Sequence, residues 1–268
     1  MGNNTGQNKR ANSAIEFVQW PVKSLEEKNI LEKKVFALQT TRRSPFQNDE
    51  GNSPYQHFNL GLHVGDCSEQ VKKNRQSLQK LIPQTTKIQW LDQVHGNDVV
   101  EISEVVNHAI VADAAITRNK STCLAIMTAD CLPILLASKS GDEVAAIHGG
   151  WRPLSADIIA NTLTKMQTKP SDIYAWLGPC ISQNAFEVGS EVRDIFVEKN
   201  SLFATAFFPK EEGKFVADLH QIAKLQLNSL NVTRINGLAE CTFGNTDKYY
   251  SYRKHAVTGR MATLITLR

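Results

Sequence analysis

Residues 122–151 read TCLAIMTADCLPILLASKSGDEVAAIHGGW and contain three apolar runs, Thr122–Thr128, Leu132–Ala137 and Val144–Ile147. Short apolar runs bounded by polar and turn-forming residues are typical of β-strands. The breaks between the runs have the length of hairpin turns, which favours pairing of consecutive strands. We therefore predict three sequential strands in this stretch.

The strand pattern extends from this stretch in both directions, and helices follow it. Further strands are predicted at Lys87–Leu91, Val99–Ile102, Ala112–Thr117, Ile173–Leu177, Val232–Asn236 and Ala262–Leu267. Helices are predicted at Ser68–Leu81, Ser155–Gln167, Glu191–Glu198 and Asp218–Leu230. Sequential strands with helices inserted later predict an α/β fold of layers around a mixed sheet. The glycine patterns of dinucleotide and P-loop sites are absent from the sequence, which gives no support for either site.

Composition excludes several classes of protein. The chain has 268 residues, 41% of them hydrophobic and 21% charged, as in ordinary globular proteins. Lys and Arg number 30 against 27 Asp and Glu, a net charge of +3. This surplus is too small to indicate a nucleic-acid or membrane partner. A local basic pocket remains compatible with it.

The termini and cysteines bear on location. Residues 1–13 are polar, without the apolar segment of a secretory signal, and we expect them to form a flexible tail. The longest apolar stretch, residues 122–137, is interrupted by Asp130 and Pro133, so no membrane helix is predicted. Five scattered cysteines without a CxxC pair argue against a disulfide framework. We expect a soluble, cytoplasmic protein.

Three reactive side chains interrupt the apolar pattern near strand ends. They are His95 in QVHG, Cys131 in TADC and His148 in AIHGG. A thiolate with two imidazoles is a normal zinc set, and three ligands leave the open position of a catalytic site. The spacing matches no local metal motif, so two other interpretations stay open. The three can be buried structural residues, or Cys131 can be a nucleophile with a histidine as its base.

Arginines beside glycine-containing or turn segments form a second group of candidates. Arg42, Arg152, Arg253 and Arg260 occupy such positions, and a guanidinium matches phosphate oxygens in a bidentate way. Exposure to solvent is the alternative for each. We expect the remaining histidines to be turn or solvent-facing residues: His57, His63, His108, His220 and His255.

Several sequence blocks in order indicate a known family. They are QVHG, ADAAIT, TADCLPILL, IHGGWR, LGP…EVG and CTF…YYSYRKHAVTGRMATLI. From about Thr40 to its C-terminus the chain resembles the YfiH family, whose members have been called polyphenol oxidase-like laccases and purine nucleoside phosphorylases. The resemblance implies one catalytic domain over residues 14–268, with an α/β/α fold similar to the catalytic domain of the cytotoxic necrotizing toxins.

The resemblance also implies a chemistry. It assigns His95, Cys131 and His148 as ligands of zinc, with copper as the alternative metal, and as the catalytic residues. The implied reaction is phosphorolysis of adenosine, inosine, guanosine or methylthioadenosine, accompanied by adenosine deamination. Its partners would be a nucleoside and phosphate, with no nucleic acid and no membrane, in a monomer or weak homo-oligomer. The expected substrate-binding residues are Arg42, Asn59, Arg152 and Arg253.

Two alternative activities stay open beside the implied reaction. One is a metal-free Cys–His amidohydrolase that edits peptidoglycan precursors, and the other is a copper-dependent polyphenol oxidase. The chain has HGGWRP where the family usually has HAGWRG, and it lacks cysteines at Asn184, Ala185 and Gly244. These changes keep the three ligands but argue against a multicopper cluster. Asp130 is the acid nearest to them in sequence.

Overall fold

The structure, a computed structural model, describes residues 14–46 and 53–268. The expected tail, residues 1–13, lies outside the described residues, as does the centre of the Ser44–Gln56 segment that reads as a surface loop. No helix in the two described ranges has both the length and the hydropathy needed to cross a bilayer.

The described chain contains six α-helices and sixteen strands. The helices are α1 (Leu25–Lys34), α2 (Ser68–Gln79), α3 (Trp151–Ser155), α4 (Ile158–Lys165), α5 (Ser190–Lys199) and α6 (Leu219–Ser229). The first eight strands are β1 (Ile15–Phe17), β2 (Val35–Thr40), β3 (Lys87–Gln89), β4 (Leu91–Asp92), β5 (Val99–Glu101), β6 (Ile110–Val111), β7 (Ala114–Thr117) and β8 (Thr122–Thr128). The others are β9 (Leu132–Ser138), β10 (Val144–Gly149), β11 (Ile173–Leu177), β12 (Glu187–Gly189), β13 (Phe207–Pro209), β14 (Lys214–Ala217), β15 (Arg234–Gly237) and β16 (Met261–Leu267).

Two mixed sheets form the centre of the molecule. The first has the order β1-β2-β16-β8-β3, and the second has the order β15-β11-β9-β10-β7-β5. Each contains antiparallel pairs and at least one parallel pair, β3 with β8 in the first and β11 with β15 in the second. The smaller groups are β12-β14-β13 and β4-β6.

The two large sheets pack face to face, and helices cover their outer faces. Along β8, Leu124 and Ile126 face the second sheet, whereas Cys123 and Ala125 belong to the cluster that includes Leu78 of α2. The outer face of the second sheet packs against residues of α3 to α6. Strands covered on both sides read as continuous apolar runs, which explains the sequence pattern. The single-domain α/β class with mixed sheets is confirmed, and its central layer consists of two sheets instead of the expected one.

Two local predictions differ from the structure. The expected β8–β9 hairpin does not form, because β8 pairs with β16 and β3 whereas β9 pairs with β10 and β11. The segment at Asp130 and Cys131 therefore carries the chain from one sheet to the other. The helix expected at Ser155–Gln167 is divided by Asp157, whose φ of 63° lies in the left-handed region and interrupts the helix.

The segment before the family blocks holds an element that the pattern did not predict. Helix α1 has the sequence LEEKNILEKK, and Leu31 is its buried residue. Ser24 caps it by accepting a hydrogen bond from the Glu27 N–H, which satisfies a free donor at the helix start. A helix with so narrow an apolar face gives a weak periodic signal.

Candidate metal centre and cavity

His95, Cys131 and His148 come together from three separate segments. His95 lies in the turn after β4, Cys131 joins β8 to β9, and His148 lies in β10. One ligand atom from each lies within 4.8 Å of the others. The Cys131 Sγ is 3.9 Å from His95 Nε2, and the two imidazole rings meet edge to face at 4.7 Å between centroids. The structure thus unites the three residues that the sequence singled out.

Asp113 forms hydrogen bonds with both His148 and the turn that carries His95. Its buried carboxylate lies just before β7, and its Oδ1 is 2.7 Å from His148 Nδ1. The same carboxylate accepts the backbone N–H groups of His95, at 3.0 Å, and Gly96, at 2.6 Å. It leaves Nε2 of His148 to act as a ligand and holds the His95 turn, where φ is 61°. Sequence reasoning missed this role, although an acid inside the apolar ADAAIT block was a visible signal.

Asp130 anchors the crossing segment beside Cys131. Its backbone φ of 100° is rare for a residue with a side chain. Its carboxylate accepts the Thr242 hydroxyl at 2.6 Å and the Arg253 backbone N–H at 2.7 Å, and its carbonyl accepts the Ile181 N–H. Asp130 is not among the residues lining the cavity described below. This acid, the nearest in sequence, therefore positions Cys131 and contacts no reacting group.

The electrostatics of the group favour a thiolate. Burial alone would raise the pKa of Cys131. The charges of His148 and His95, together with their hydrogen bonds to the sulfur, outweigh burial and lower the pKa to about 6. Burial acts to lower the pKa of His148, and the opposing effects of Cys131 and Asp113 raise it to about 9. A thiolate is the form of cysteine that binds metal or attacks an electrophile. The same three residues can thus serve either chemistry.

The donor set fits a borderline divalent metal. One sulfur and two imidazole nitrogens match zinc, whose tetrahedral ligand atoms lie about 3.3–3.6 Å apart, so only a small closure of the group is needed. In the described ranges this is the single cluster of three or more His, Cys, Asp or Glu side chains placed to hold an ion. The described residues therefore offer a mononuclear site and no second cluster.

A cavity of about 400 Å³ opens onto the group. Its lining residues are His63, Gln93, His95, Met127, Thr128, Ala129, Cys131, His148, Arg152, Tyr252 and Arg260. None of them is a carboxylate, and two are arginines. Because Asp113 and Asp130 lie behind this wall, the charged groups that reach the cavity are mainly cationic. The cavity is therefore a local basic pocket, which the small net charge of the whole chain permits.

The four expected substrate-binding residues have different positions. Arg152 lines the cavity and stacks on Trp151, with 4.5 Å from its guanidinium carbon to the ring centroid. Arg42 donates to the Thr246 carbonyl, and Arg253 donates to the Glu187 carbonyl. The residues that line the cavity do not include Arg42, Arg253 or Asn59. Their direct contact with substrate stays a prediction, and the cavity geometry does not favour it.

Asn59 is fully buried and acts on the site through Arg260. Its Oδ1 accepts the backbone N–H groups of Gly61 and Arg260, both at 2.9 Å. Its Nδ2 donates to Asp66 Oδ2, also at 2.9 Å. Asn59 therefore fastens the start of β16 to the turn that contains His63.

Two further lining residues are Arg260, which the sequence offers as a candidate arginine outside the four expected substrate-binding residues, and His63. His63 was expected to be a turn residue, and it contributes to the cavity wall together with Arg260. His220 also differs from its expected exposure, since it is half-buried and lies 2.9 Å from the Gly178 carbonyl. Only the folding of distant segments onto one another distinguishes these side chains from others of the same type.

Comparison with known proteins places this architecture in a family. A family model described as multi-copper polyphenol oxidoreductase laccase matches residues 37–268. The protein named purine nucleoside phosphorylase YfiH from Shigella flexneri is 41% identical over 214 residues, covering 80% of this chain and 88% of its own length. A Haemophilus influenzae protein named purine nucleoside phosphorylase is 41% identical over 237 residues, covering 87% and 94%.

Solved structures show the same fold. The Neisseria meningitidis protein NMB0706 superposes with a TM-score of 0.85 at 37% identity, over 95% of this chain and 99% of that one. YlmD from Geobacillus stearothermophilus superposes with a TM-score of 0.79 at 29% identity, over 87% and 92%. Each superposition covers most of both chains, so the likeness concerns the whole fold and not a shared fragment.

Proposed function

Because the chain belongs to the family described as multi-copper polyphenol oxidoreductase laccases, in which it resembles proteins named purine nucleoside phosphorylase, we propose that it is a zinc-dependent purine nucleoside phosphorylase. Its substrates are adenosine, inosine, guanosine or methylthioadenosine with inorganic phosphate, and its products are the free base and ribose 1-phosphate, or 5-methylthioribose 1-phosphate from methylthioadenosine. One observation carries the proposal. The His95–Cys131–His148 group lies on the wall of a cavity that presents arginines and no carboxylate.

Different residues of the chain have different roles in this reaction. A zinc ion held by the three ligands would supply a Lewis acid with one open coordination position. Asp113 holds His148 in the tautomer that presents Nε2, and it fixes the turn of His95. Arg152 lies where it can hold phosphate while an oxygen of that phosphate bonds to C1′ and the glycosidic bond breaks.

Adenosine deamination at the same centre is part of the proposal. The amino group would leave C6 as ammonia after attack by water, and this needs a side chain that carries protons. The lining residues include no carboxylate and His95 is a proposed ligand, so His63 is the candidate for that task. The reaction is therefore expected to be secondary to phosphorolysis. Zinc remains the proposed metal, with copper as the alternative.

A second candidate function has its own supporting observation. The site has the spatial arrangement of a catalytic triad. Cys131 would be the nucleophile, His148 its base, and Asp113 the acid that orients the base. A metal-free amidohydrolase acting on peptidoglycan precursors would use this arrangement directly. A multicopper phenol oxidase has less support, since the described residues supply one three-ligand group.

The deciding experiment combines metal analysis with an activity screen. The purified protein is assayed for zinc and copper, and then incubated with each nucleoside with and without phosphate. We expect phosphate-dependent release of base, loss of activity on chelation, and recovery with zinc. Stoichiometric metal without phosphate-dependent release from any of the four nucleosides would overturn the proposal. Hydrolysis of a peptidoglycan precursor peptide that survives chelation but is lost on alkylation of Cys131 would favour the amidohydrolase. The cytoplasmic location and the monomeric or weakly associated state stay predictions.

A further inference from the structure

Arg260 is a half-buried cation in the cavity wall that feels the charges of Cys131 and Asp130 but forms no ion pair with a carboxylate of the described residues. No carboxylate in the described ranges lies within ion-pair distance of it. Its Nη1 donates to the carbonyls of Thr258, at 3.1 Å, and Gly259, at 3.0 Å. Nε and Nη2 have no acceptor among the described residues. Because these two bonds go to the two residues that directly precede Arg260, they tie no distant segments together.

Two further arginines lie in this region of the molecule. Arg152 shares the cavity, and Arg75 stacks on Trp90 with 3.7 Å from its guanidinium carbon to the ring centroid. Burial and the charge of Arg260 lower the pKa of His63, Asp92 acts against them, and Arg75 adds to the lowering. A cation removed from water without a partner is costly. A bound anion would offset this cost.

The position of Arg260 is also fixed before any ligand arrives, its backbone by hydrogen bonds and its side-chain stem by packing. Asn59 Oδ1 accepts its backbone N–H at 2.9 Å, and its carbonyl accepts the Leu60 N–H at 3.1 Å. A methyl group at Gly61 would lie 2.9 Å from the Arg260 Cγ, so glycine there allows the side-chain stem to pack closely. A guanidinium fixed in this way loses little freedom when it binds an anion.

We propose that Arg260, together with Arg152, forms a subsite for a tetrahedral oxyanion in the same cavity as the metal-binding group. The inference rests on the proposed function and deepens it, because the oxyanion is then the phosphate that attacks C1′. Arg260 offers Nε and Nη2 as a two-donor edge, and Arg152 supplies a second positive charge from the start of α3. Asn59 is a positioning residue in this arrangement and does not contact the phosphate.

The test separates phosphate binding from turnover. Arg260→Met keeps the bulk of the side chain and removes the charge, and Arg260→Lys keeps the charge without the fork. Binding of inorganic phosphate is measured by equilibrium dialysis, and the KM for phosphate and for inosine are measured separately. We expect Arg260→Met to weaken phosphate binding and to raise the phosphate KM about 10- to 100-fold, the effect of losing a charged hydrogen bond. The inosine KM and the metal content should stay within twofold, and Arg260→Lys should recover part of the loss.

Arg193→Met provides the matched control. Arg193 pairs with Asp194 at the surface and lies outside the cavity, so both phosphate measurements should be unchanged. Wild-type phosphate affinity in a folded Arg260→Met protein would overturn the subsite, even if phosphorolysis is observed. If Arg260→Met does not fold, an unchanged phosphate KM in Arg260→Lys would overturn it as well. Loss of phosphate binding in Arg260→Met, with no phosphorolysis by the wild type, would uphold the anion subsite and refute the proposed reaction.

Discussion

The Oδ1 of Asp113 lies 2.7 Å from Nδ1 of His148 in the buried interior, and the same carboxylate holds the backbone of the turn that carries His95. One acid thus orients one imidazole directly and places the other through its main chain. Residues that orient metal ligands in this way contribute strongly to affinity. The metal affinity of the candidate group is therefore expected to depend on a side chain that is not one of its three ligands.

Asp113→Asn should weaken metal binding by about 10- to 100-fold, since the amide retains the size of the side chain but loses the charge that fixes His148. The measurement is a competition titration against a coloured chelator. Asp172→Asn is the control, because Asp172 is exposed and remote from the cavity. Equal affinities in wild type and Asp113→Asn would show that the carboxylate does not orient the ligand.

Cys131 should be protected from iodoacetamide by metal and modified once metal is removed. A coordinated thiolate is not free to attack the reagent, whereas the metal-free thiol has a pKa of about 6 and is largely ionised at neutral pH. Peptide mapping by mass spectrometry reports each cysteine separately. Exposed Cys67 should react in both states and buried Cys123 in neither. Equal labelling of Cys131 with and without zinc would argue against coordination by its sulfur.

Gly150→Ala should reduce metal affinity by about 3- to 10-fold. A methyl group at this position would lie 3.2 Å from the Cys131 sulfur and 3.4 Å from His95 Cδ2. Such crowding displaces side chains at a modest cost, on the order of 1 kcal/mol. Gly244→Ala is the control, because its nearest neighbour would be at an ordinary 3.7 Å. A chelator titration compares the variants, and unchanged affinity in Gly150→Ala would mean that the ligands adjust freely.

Asn59→Ala should lower the free energy of unfolding by about 2–4 kcal/mol, because it leaves several buried donors and acceptors without partners. The groups affected include the N–H of Gly61 and of Arg260. Urea denaturation followed by circular dichroism measures the change. Asn184→Ala removes an exposed amide and should be nearly neutral. A similar small effect in both variants would contradict the structural role of Asn59.

Local pattern was sufficient for much of the architecture. The observed bounds of β8 and β11 match the predicted ones, since an apolar run must be buried whichever strand pairs with it. The pairing itself was not predictable from the run. Strand β8 lies beside β16, which is more than a hundred residues further along the chain, so the local turn at Asp130 gave a misleading signal for a hairpin.

The candidate site also has a part that the sequence predicts and a part that only the structure shows. His95, Cys131 and His148 were recognisable in the sequence because reactive side chains interrupt apolar strands there. The sequence by itself thus determined the class of fold, the family resemblance and the candidate ligands. Only the tertiary structure decided that Asp113 supports two of them and that Arg152 and Arg260, rather than Arg42 and Arg253, line the cavity. The physical reason is that arginines beside turns look alike in a sequence, whereas the burial and partners of each guanidinium depend on segments far away in the chain.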